Sequence, residues 1–285
     1  MARRRIGLES GKISTVSKYQ TDQGVCLRVV DFSETSQVVT LLTREHGLIS
    51  ALAKGIRKIS SKSASPLGGP LDLLSVGEIV FVLPRSGELS LLTAWQVANH
   101  QPAIRTNLAA FYAGEIICEF TSMLLSPHDP HTRLYDELIA TLQLITQPEA
   151  PRALVAYLTY ALNAAGYQAR LDICCVCGSP VRPGAAIGFI PSHGTVACAS
   201  CRVHKQTIKV EASIVLALHR LPAPSDLQKH PPSRPADVTA LLAAAKMLYA
   251  QVQALTDRRP RTADLLADAI KTSVPESQNR NAKRT

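Results

Sequence analysis

The sequence is poor in aromatic residues and lacks a long apolar run. Phe, Trp and Tyr together make up 5% of the 285 residues, and Trp occurs once. No run of about eighteen apolar residues is found, the length that a membrane-spanning helix needs, and no apolar segment follows the basic start MARRRIGLES. These absences argue against a membrane protein and against a secretory signal. We therefore expect a cytoplasmic protein.

Short motifs of catalysis are absent as well. The chain contains no G-x-x-x-x-G-K-[ST] or G-x-G-x-x-G loop for nucleotide phosphates, no G-x-S-x-G, and no H-E-x-x-H. It also lacks the H-x-E and P-C-x-x-C pair of the nucleobase deaminases. Glu45 and His46 are adjacent, but in a turn signal such a pair is usually solvated. None of these patterns therefore indicates a catalytic site.

The net charge of +9 is concentrated in three segments. Residues 1–12, 44–62 and 271–285 each carry an excess of Lys and Arg, whereas the remainder of the chain is close to neutral. Local positive charge suits a polyanionic partner, because each neutralised phosphate releases counterions. At the two termini, charged tails that only keep the protein soluble are an equal alternative. The middle segment differs, because no acidic residue occurs between residues 46 and 71.

Residues 19–100 have the pattern of a small β-barrel. Five short runs rich in Val, Ile and Leu are separated by turn signals, and a long loop follows the third run. Five strands of this length fit a closed barrel such as an OB-fold. A five-stranded SH3-like barrel would give much the same pattern, and periodicity alone does not decide between them.

Beyond residue 100 the apolar residues recur at helical spacing, as in LAAFYAGEIICEFTSMLL. The helical pattern is interrupted by a cysteine-rich segment, and the stretch PAPSDLQKHPPSRPAD is expected to be a proline-rich connection. The fold class is therefore α+β and multidomain. We divide the chain into a basic arm (1–18), a barrel domain (19–100), a helical domain in two parts (101–171 and 207–271), a cysteine module (172–206) and a disordered basic tail (272–285).

The cysteine module contains two C-x-x-C pairs. Cys174 and Cys177 form the first pair, Cys198 and Cys201 form the second, and twenty residues separate them. This spacing is typical of a structural Zn²⁺ site in which four thiolates fill every ligand position. Cys175 is left over, because its spacing to Cys177 cannot form the same turn. A redox C-x-x-C is the weaker alternative, and disulfides are not expected in a cytoplasmic chain.

Two stretches carry a resemblance to a known family. LRVVDFSETSQVVTLLTREHGLISALAKGIRK, followed at a distance by LNAAGYQARLDICCVCGSP, resembles the RecO family of bacterial DNA-repair proteins, and the resemblance covers about residues 19–271. It implies an N-terminal OB-fold, a helical domain and a zinc module inserted in the helical part. The resemblance therefore favours the OB-fold over the SH3-like barrel.

The resemblance also implies a function without bond-making chemistry. RecO proteins bind single- and double-stranded DNA and anneal complementary strands. With RecR, and in the RecF pathway, they help to place RecA on DNA that is coated by the single-strand binding protein SSB. The family's helical domain docks the C-terminal tail of SSB, but that pocket cannot be assigned to numbered residues. Such a protein would be associated with the nucleoid.

The basic loop AKGIRKISSK is the DNA contact that this resemblance suggests. Cations on a loop between the third and fourth strands can follow a phosphate backbone without reading its sequence. Phe32, Phe81 and Trp95 are expected in the core, so aromatic platforms for bases look sparse. A zinc-stabilised protein–protein adaptor with incidental charge is the alternative. The expected DNA-binding residues are Arg28, Arg44, Lys54, Arg57, Lys58 and Lys62.

Overall fold

A computed structural model describes residues 19–56, 67, 69–84, 89–202, 207–230, 232 and 237–271. The expected basic arm and basic tail lie outside the described residues. So do Arg57, Lys58 and Lys62 of the basic loop, whereas Lys54 at its beginning is described.

The N-terminal part is a closed five-stranded barrel. Its strands follow one another around the barrel in the order β1-β2-β3-β5-β4, and β4 pairs back with β1. All pairings are antiparallel except that between β3 and β5, which is parallel. This is the topology of an OB-fold, as expected. The strands are β1 (Tyr19–Asp31), β2 (Gln37–Thr43), β3 (Gly47–Ala53), β4 (Val76–Val82) and β5 (Leu89–Asn99).

The barrel buries apolar side chains on both its inner and its outer face. Successive residues of a strand point to opposite faces, so Val39 and Leu41 fill the interior while Leu42 points outward. A β-bulge between Cys26 and Arg28 shifts the register of β1 against β2. The outward residues Val25, Leu27, Leu42, Leu48 and Leu74 belong to the same apolar cluster as the helices.

The helical domain packs around α2 and α4. Inside it the hydroxyls of Tyr157 and Thr121 lie 2.6 Å apart, so the one polar group of this buried tyrosine is hydrogen-bonded. The helices are α1 (Pro102–Arg105), α2 (Leu108–Leu124), α3 (Thr132–Leu144), α4 (Ala150–Ala164), α5 (Ala212–His219), α6 (Pro224–Lys229), α7 (Val238–Thr256) and α8 (Leu266–Lys271), and a 3-10 turn, Arg261–Leu265, precedes α8.

Helix α6 lies in the stretch that was expected to be a proline-rich connection. Pro224 occupies the first turn of this helix, where a missing N–H costs no hydrogen bond. The Glu137 carboxylate of α3 accepts hydrogen bonds from the N–H and the hydroxyl of Ser225, at 2.8 and 2.7 Å. A long-range contact therefore stabilises a helix that the local sequence does not suggest.

By length and composition alone α7 is apolar enough to cross a membrane. This differs from the expectation drawn from the sequence, where Lys246 interrupts the apolar run. In the fold α7 contacts α2, α4, α5 and α8. Ala245, Leu248 and Val252 are buried in the cluster that these helices share, so one side of α7 packs in the core of the helical domain.

The cysteine module is a four-stranded sheet inserted between α4 and α5. Its strands, β6 (Arg170–Cys174), β7 (Ala186–Ile190), β8 (Thr195–Ala197) and β9 (Ile208–Glu211), lie in the order β6-β8-β7-β9. Ile187, Phe189 and Val196 are buried in the apolar cluster of the helical domain. The module therefore shares a core with the helices that flank it.

The barrel and the helical domain meet at the β2–β3 turn. The Arg44 guanidinium forms two hydrogen bonds to the Asp136 carboxylate, 3.0 and 3.2 Å long, and the Thr132 hydroxyl donates to the Arg44 carbonyl. The His128 N–H donates to the Leu48 carbonyl at 2.9 Å. A Cβ on Gly47, whose φ is +70°, would lie 2.1 Å from the backbone oxygen of Asp129. The turn can therefore approach the helical domain this closely only with glycine.

Candidate metal centre and nucleic-acid interface

The structure brings together the four cysteines of the two C-x-x-C pairs. Their Sγ atoms all lie within 4.8 Å of one another, although Cys198 lies 24 positions after Cys174. The first pair begins at the end of β6, and the second pair follows β8, the strand that pairs with β6. Four sulfur ligands at this separation can hold one tetrahedral metal ion.

Each pair sits in a tight turn of the backbone. In the first turn the Gly178 N–H donates to the Cys174 carbonyl at 2.9 Å, and Gly178 has a φ of +71°, which glycine adopts without strain. In the second turn the Arg202 N–H donates to the Cys198 carbonyl at 3.0 Å. The Cys198 N–H also donates to Cys174 Sγ at 3.3 Å, across the two turns. The backbone thus positions the sulfurs and supplies donors to them.

The electrostatics of the cluster favour a bound cation. Burial raises the pKa of the Cys174 thiol, but hydrogen bonds from the N–H groups of Cys177, Cys198 and Val176 outweigh this and lower the pKa to about 6. In contrast, the neighbouring thiols of Cys198 and Cys177 raise the pKa of Cys201 to about 12. Negative charge is therefore stabilised on the Cys174 sulfur and disfavoured on the Cys201 sulfur. A metal ion would relieve that opposition, because thiolates are its ligands.

The other three cysteines lie outside this cluster. Cys175 is exposed, and its N–H donates to the Val196 carbonyl at 2.8 Å, which directs this residue into the β6–β8 ladder. Cys26 and Cys118 are buried in apolar surroundings, and burial raises the pKa of both thiols. The division between the four clustered cysteines and the remaining three is the one that the spacing predicts.

The predicted DNA-binding residues of the barrel have different environments. Lys54 is exposed in the turn that follows β3, and Arg28 is exposed on the outer face of β1. Arg44 is instead held by Asp136 and by Glu45, whose carboxylate lies 3.2 Å from the guanidinium. The Asp136 hydrogen bonds raise the pKa of Arg44. Arg44 thus joins the two domains, a role that the sequence did not suggest, and its contact with DNA stays a prediction.

His46 is not the solvated residue that the sequence suggested. Its Nδ1 lies 2.7 Å from Asp22 Oδ2, and the Asp22 carboxylate also accepts hydrogen bonds from the N–H groups of Gln23, Glu45 and His46. Asp22 is buried, with 2% of its side chain exposed. A buried carboxylate thus holds the β2–β3 turn in place, and only the pairing of β1 with β2 could have indicated it.

One aromatic residue of the barrel is not in the core. Phe81 and Trp95 are buried as expected, with 0% and 3% of their surface exposed. Phe32, which was also expected in the core, is 67% exposed. It follows the last residue of β1, and its N–H donates to the Ser36 carbonyl across the β1–β2 turn. The ring therefore lies beyond the end of the sheet, outside the interior of the barrel.

A groove of about 880 Å³ lies between the barrel and the helical domain. Its floor is the outer face of β1, β2 and β3, and its opposite wall is formed by α2 and the segment around the 3-10 turn. Local sequence patterns cannot indicate this groove, because residues that are more than 200 positions apart form it. The charged lining residues are Arg28, Glu115, Glu119, Arg258 and Arg261.

The architecture defines a class of protein, an OB-fold barrel joined to a helical domain that carries an inserted four-cysteine module. Two family models match the chain. The model described as "Recombination protein O N terminal" matches residues 17–100, and the model described as "Recombination protein O C terminal" matches residues 105–250. The chain belongs to the RecO family.

Curated relatives agree with this assignment. A DNA repair protein RecO of Anaeromyxobacter sp. strain K is 37% identical over 201 residues, which cover 70% of this chain and 77% of that protein. A DNA repair protein RecO of Rhodopirellula baltica is 35% identical over 62% of this chain and 65% of its own length, slightly under two thirds. A DNA repair protein RecO of Synechococcus sp. strain JA-2-3B'a(2-13) is 29% identical over 90% of this chain and 91% of its own length.

Proposed function

We propose that this protein is a recombination mediator in DNA repair. In this role it binds single- and double-stranded DNA, anneals complementary strands and, with RecR in the RecF pathway, helps to load RecA onto DNA coated by SSB. The helical domain would dock the C-terminal tail of SSB. The protein would act in the cytoplasm, where the bacterial chromosome lies, and without catalysing bond formation or cleavage.

One observation carries the DNA-binding part of this proposal. The exposed Lys54 follows β3 of the OB-fold barrel, and the sequence around it has no acidic residue between residues 46 and 71. OB-fold loops are sites at which oligonucleotides bind. The four cations of this segment, Lys54, Arg57, Lys58 and Lys62, have no compensating acid and would attract phosphates whatever the base sequence, as strand annealing requires.

We also propose that the four-cysteine cluster holds Zn²⁺ in a structural role. Cys174, Cys177, Cys198 and Cys201 would fill all four positions of a tetrahedral ion, so no position would remain for a reactive water. A bound zinc ion would supply charge neutralisation and a cross-link between the two turns. The chain's own residues fix the turns, through the hydrogen bonds from Gly178 and Arg202.

Binding of labelled single-stranded DNA, followed by fluorescence anisotropy at several salt concentrations, tests the proposal. Replacing Arg57 and Lys58 together with Ala should weaken binding by a similar factor for all base sequences. It should also flatten the plot of log affinity against log salt by up to about 0.7 per lost contact.

A matched control removes two exposed cations from the C-terminal half. Lys209→Ala with Arg220→Ala changes the net charge equally but should leave the salt slope unchanged. Equal effects of both double variants would show non-specific attraction and contradict the loop assignment. A wild-type protein that fails to bind DNA even at low salt would contradict the proposal and favour the zinc-stabilised adaptor.

A further inference from the structure

The outer face of β1, β2 and β3 has an ordered surface. Strand register places outward side chains side by side in rows that run across the three strands. The row nearest the interdomain groove is cationic and polar, and the next row is apolar. The first row is Arg28, Thr40 and Ser50, and the second is Val30, Val38 and Leu52.

The same register places Phe32 and Lys54 at one end of this face. Asp31 pairs with Gln37 and Gln37 pairs with Ala53, so the residues that follow Asp31 and Ala53 leave the sheet at the same edge. Two strand spacings separate them, a distance of about 10 Å. An exposed aromatic ring and the first cation of the basic loop are therefore neighbours across the barrel rim.

The opposite end of the face lines the interdomain groove, whose charged residues are three arginines and two glutamates. Arg28 and Arg258 are exposed and form no ion pair with another described residue. The Glu119 carboxylate is occupied, because it accepts hydrogen bonds from the backbone N–H groups of Arg261 and Thr262 and forms an ion pair with the Arg261 side chain, 3.3 Å away. Glu115 is the remaining carboxylate of the lining. The groove can thus continue a phosphate track from the barrel.

We infer that the outer face of β1–β3 is the path of a single DNA strand that stacks one base on Phe32 and continues into the interdomain groove. This inference rests on the proposed function and names its binding surface. An exposed ring stacks on any base, and the flanking cations Lys54 and Arg28 suit phosphates on either side of that base. A duplex keeps its bases paired and stacked inside, so it cannot use the ring.

The test compares full-length Phe32→Ala with wild type in anisotropy titrations with oligo(dT) and with a duplex of equal length. Loss of one stacked base should weaken oligo(dT) binding by about 5-fold to about 150-fold, with the salt slope and the duplex affinity unchanged. Leu108→Ala is the matched control, because Leu108 is 62% exposed at the first residue of α2 and does not line the groove. It should bind oligo(dT) like wild type.

A second variant keeps the ring and reports on the contact directly. Phe32→Trp should retain oligo(dT) binding, and the fluorescence of the introduced indole should be quenched on binding. Wild type, whose single Trp95 is buried, should show no such quenching.

Unchanged oligo(dT) affinity of Phe32→Ala would overturn the stacking inference. If the double variant Arg57→Ala, Lys58→Ala still flattened the salt dependence of DNA binding, the proposed function would stand without the stacking inference. If Phe32→Ala instead lost binding to an acidic peptide while its DNA affinity stayed intact, this face would be assigned to a protein partner, and the inference would likewise be overturned.

Discussion

Gly47 lies where the β2–β3 turn touches the backbone at Asp129, and Gly47→Ala tests how the two domains are docked. Two costs follow from the structure. A side chain at φ +70° costs roughly 1–2 kcal/mol. A Cβ placed 2.1 Å from a backbone oxygen must displace one of the two segments, and overpacking of this kind costs about 1–3 kcal/mol more. We therefore expect a loss of about 2–5 kcal/mol in the free energy of unfolding.

Gly166→Ala separates these two costs. Gly166 has a φ of +85°, but a Cβ there would have no atom within 4 Å, so only the backbone cost of roughly 1–2 kcal/mol applies. Urea unfolding, followed by circular dichroism and by the fluorescence of Trp95 in the barrel, measures both variants. Equal losses in the two variants would refute the close approach at Asp129.

Three further predictions concern the metal, the pH dependence and the absence of catalysis. Purified protein should contain about one zinc ion per chain; Cys177→Ser or Cys198→Ser should lose it, and Cys175→Ser should keep it. Structural zinc contributes roughly 10 kcal/mol or more of apparent binding energy, which a variant without a ligand forfeits. Equal zinc content in all three variants would contradict the ligand assignment. Burial raises the pKa of Glu119, but the N–H donors of Thr262 and Arg261 more than offset this and lower it. Because the pKa is lower in the folded state, ionised Glu119 stabilises the fold above a pH of about 4.3, and this contribution is lost as the pH falls. In urea unfolding, Glu119→Gln should therefore be less stable than wild type at pH 7 and match it near pH 2. A difference in stability that does not change with pH would refute the assignment. Annealing of complementary strands should proceed without ATP, and an ATPase activity that follows the protein through further purification would contradict this.

The parts that the sequence predicts are those with a local signal. Alternating apolar residues between turn signals locate the five barrel strands, and two C-x-x-C pairs identify the cysteine cluster. Both depend on residues that are close along the chain. The choice of an OB-fold over an SH3-like barrel came from the family resemblance, because strand order is not a local property.

The parts that the sequence did not predict arise from long-range contacts. Helix α6 depends on the Glu137 carboxylate of α3, and Arg44 is held by Asp136, which lies 92 residues further along the chain. The exposure of Phe32 depends on where the β1–β2 turn leaves the sheet. Hydropathy assigns such a ring to the core, but the polar residues Ser33, Glu34 and Thr35 that follow it are the local signal that the strand ends there.

The apolar outer face of the barrel determines how the chain can be divided into fragments. The strands form a complete ring of hydrogen bonds, so a fragment that ends near residue 100 contains every backbone partner of the barrel. It would nevertheless expose Val25, Leu27, Leu42 and Leu48 to water, because the helices cover these residues in the whole chain. A contiguous apolar patch of this kind promotes aggregation. The barrel is therefore complete in its strand pairing but not soluble on its own, and the DNA binding proposed for it should be measured on the intact chain.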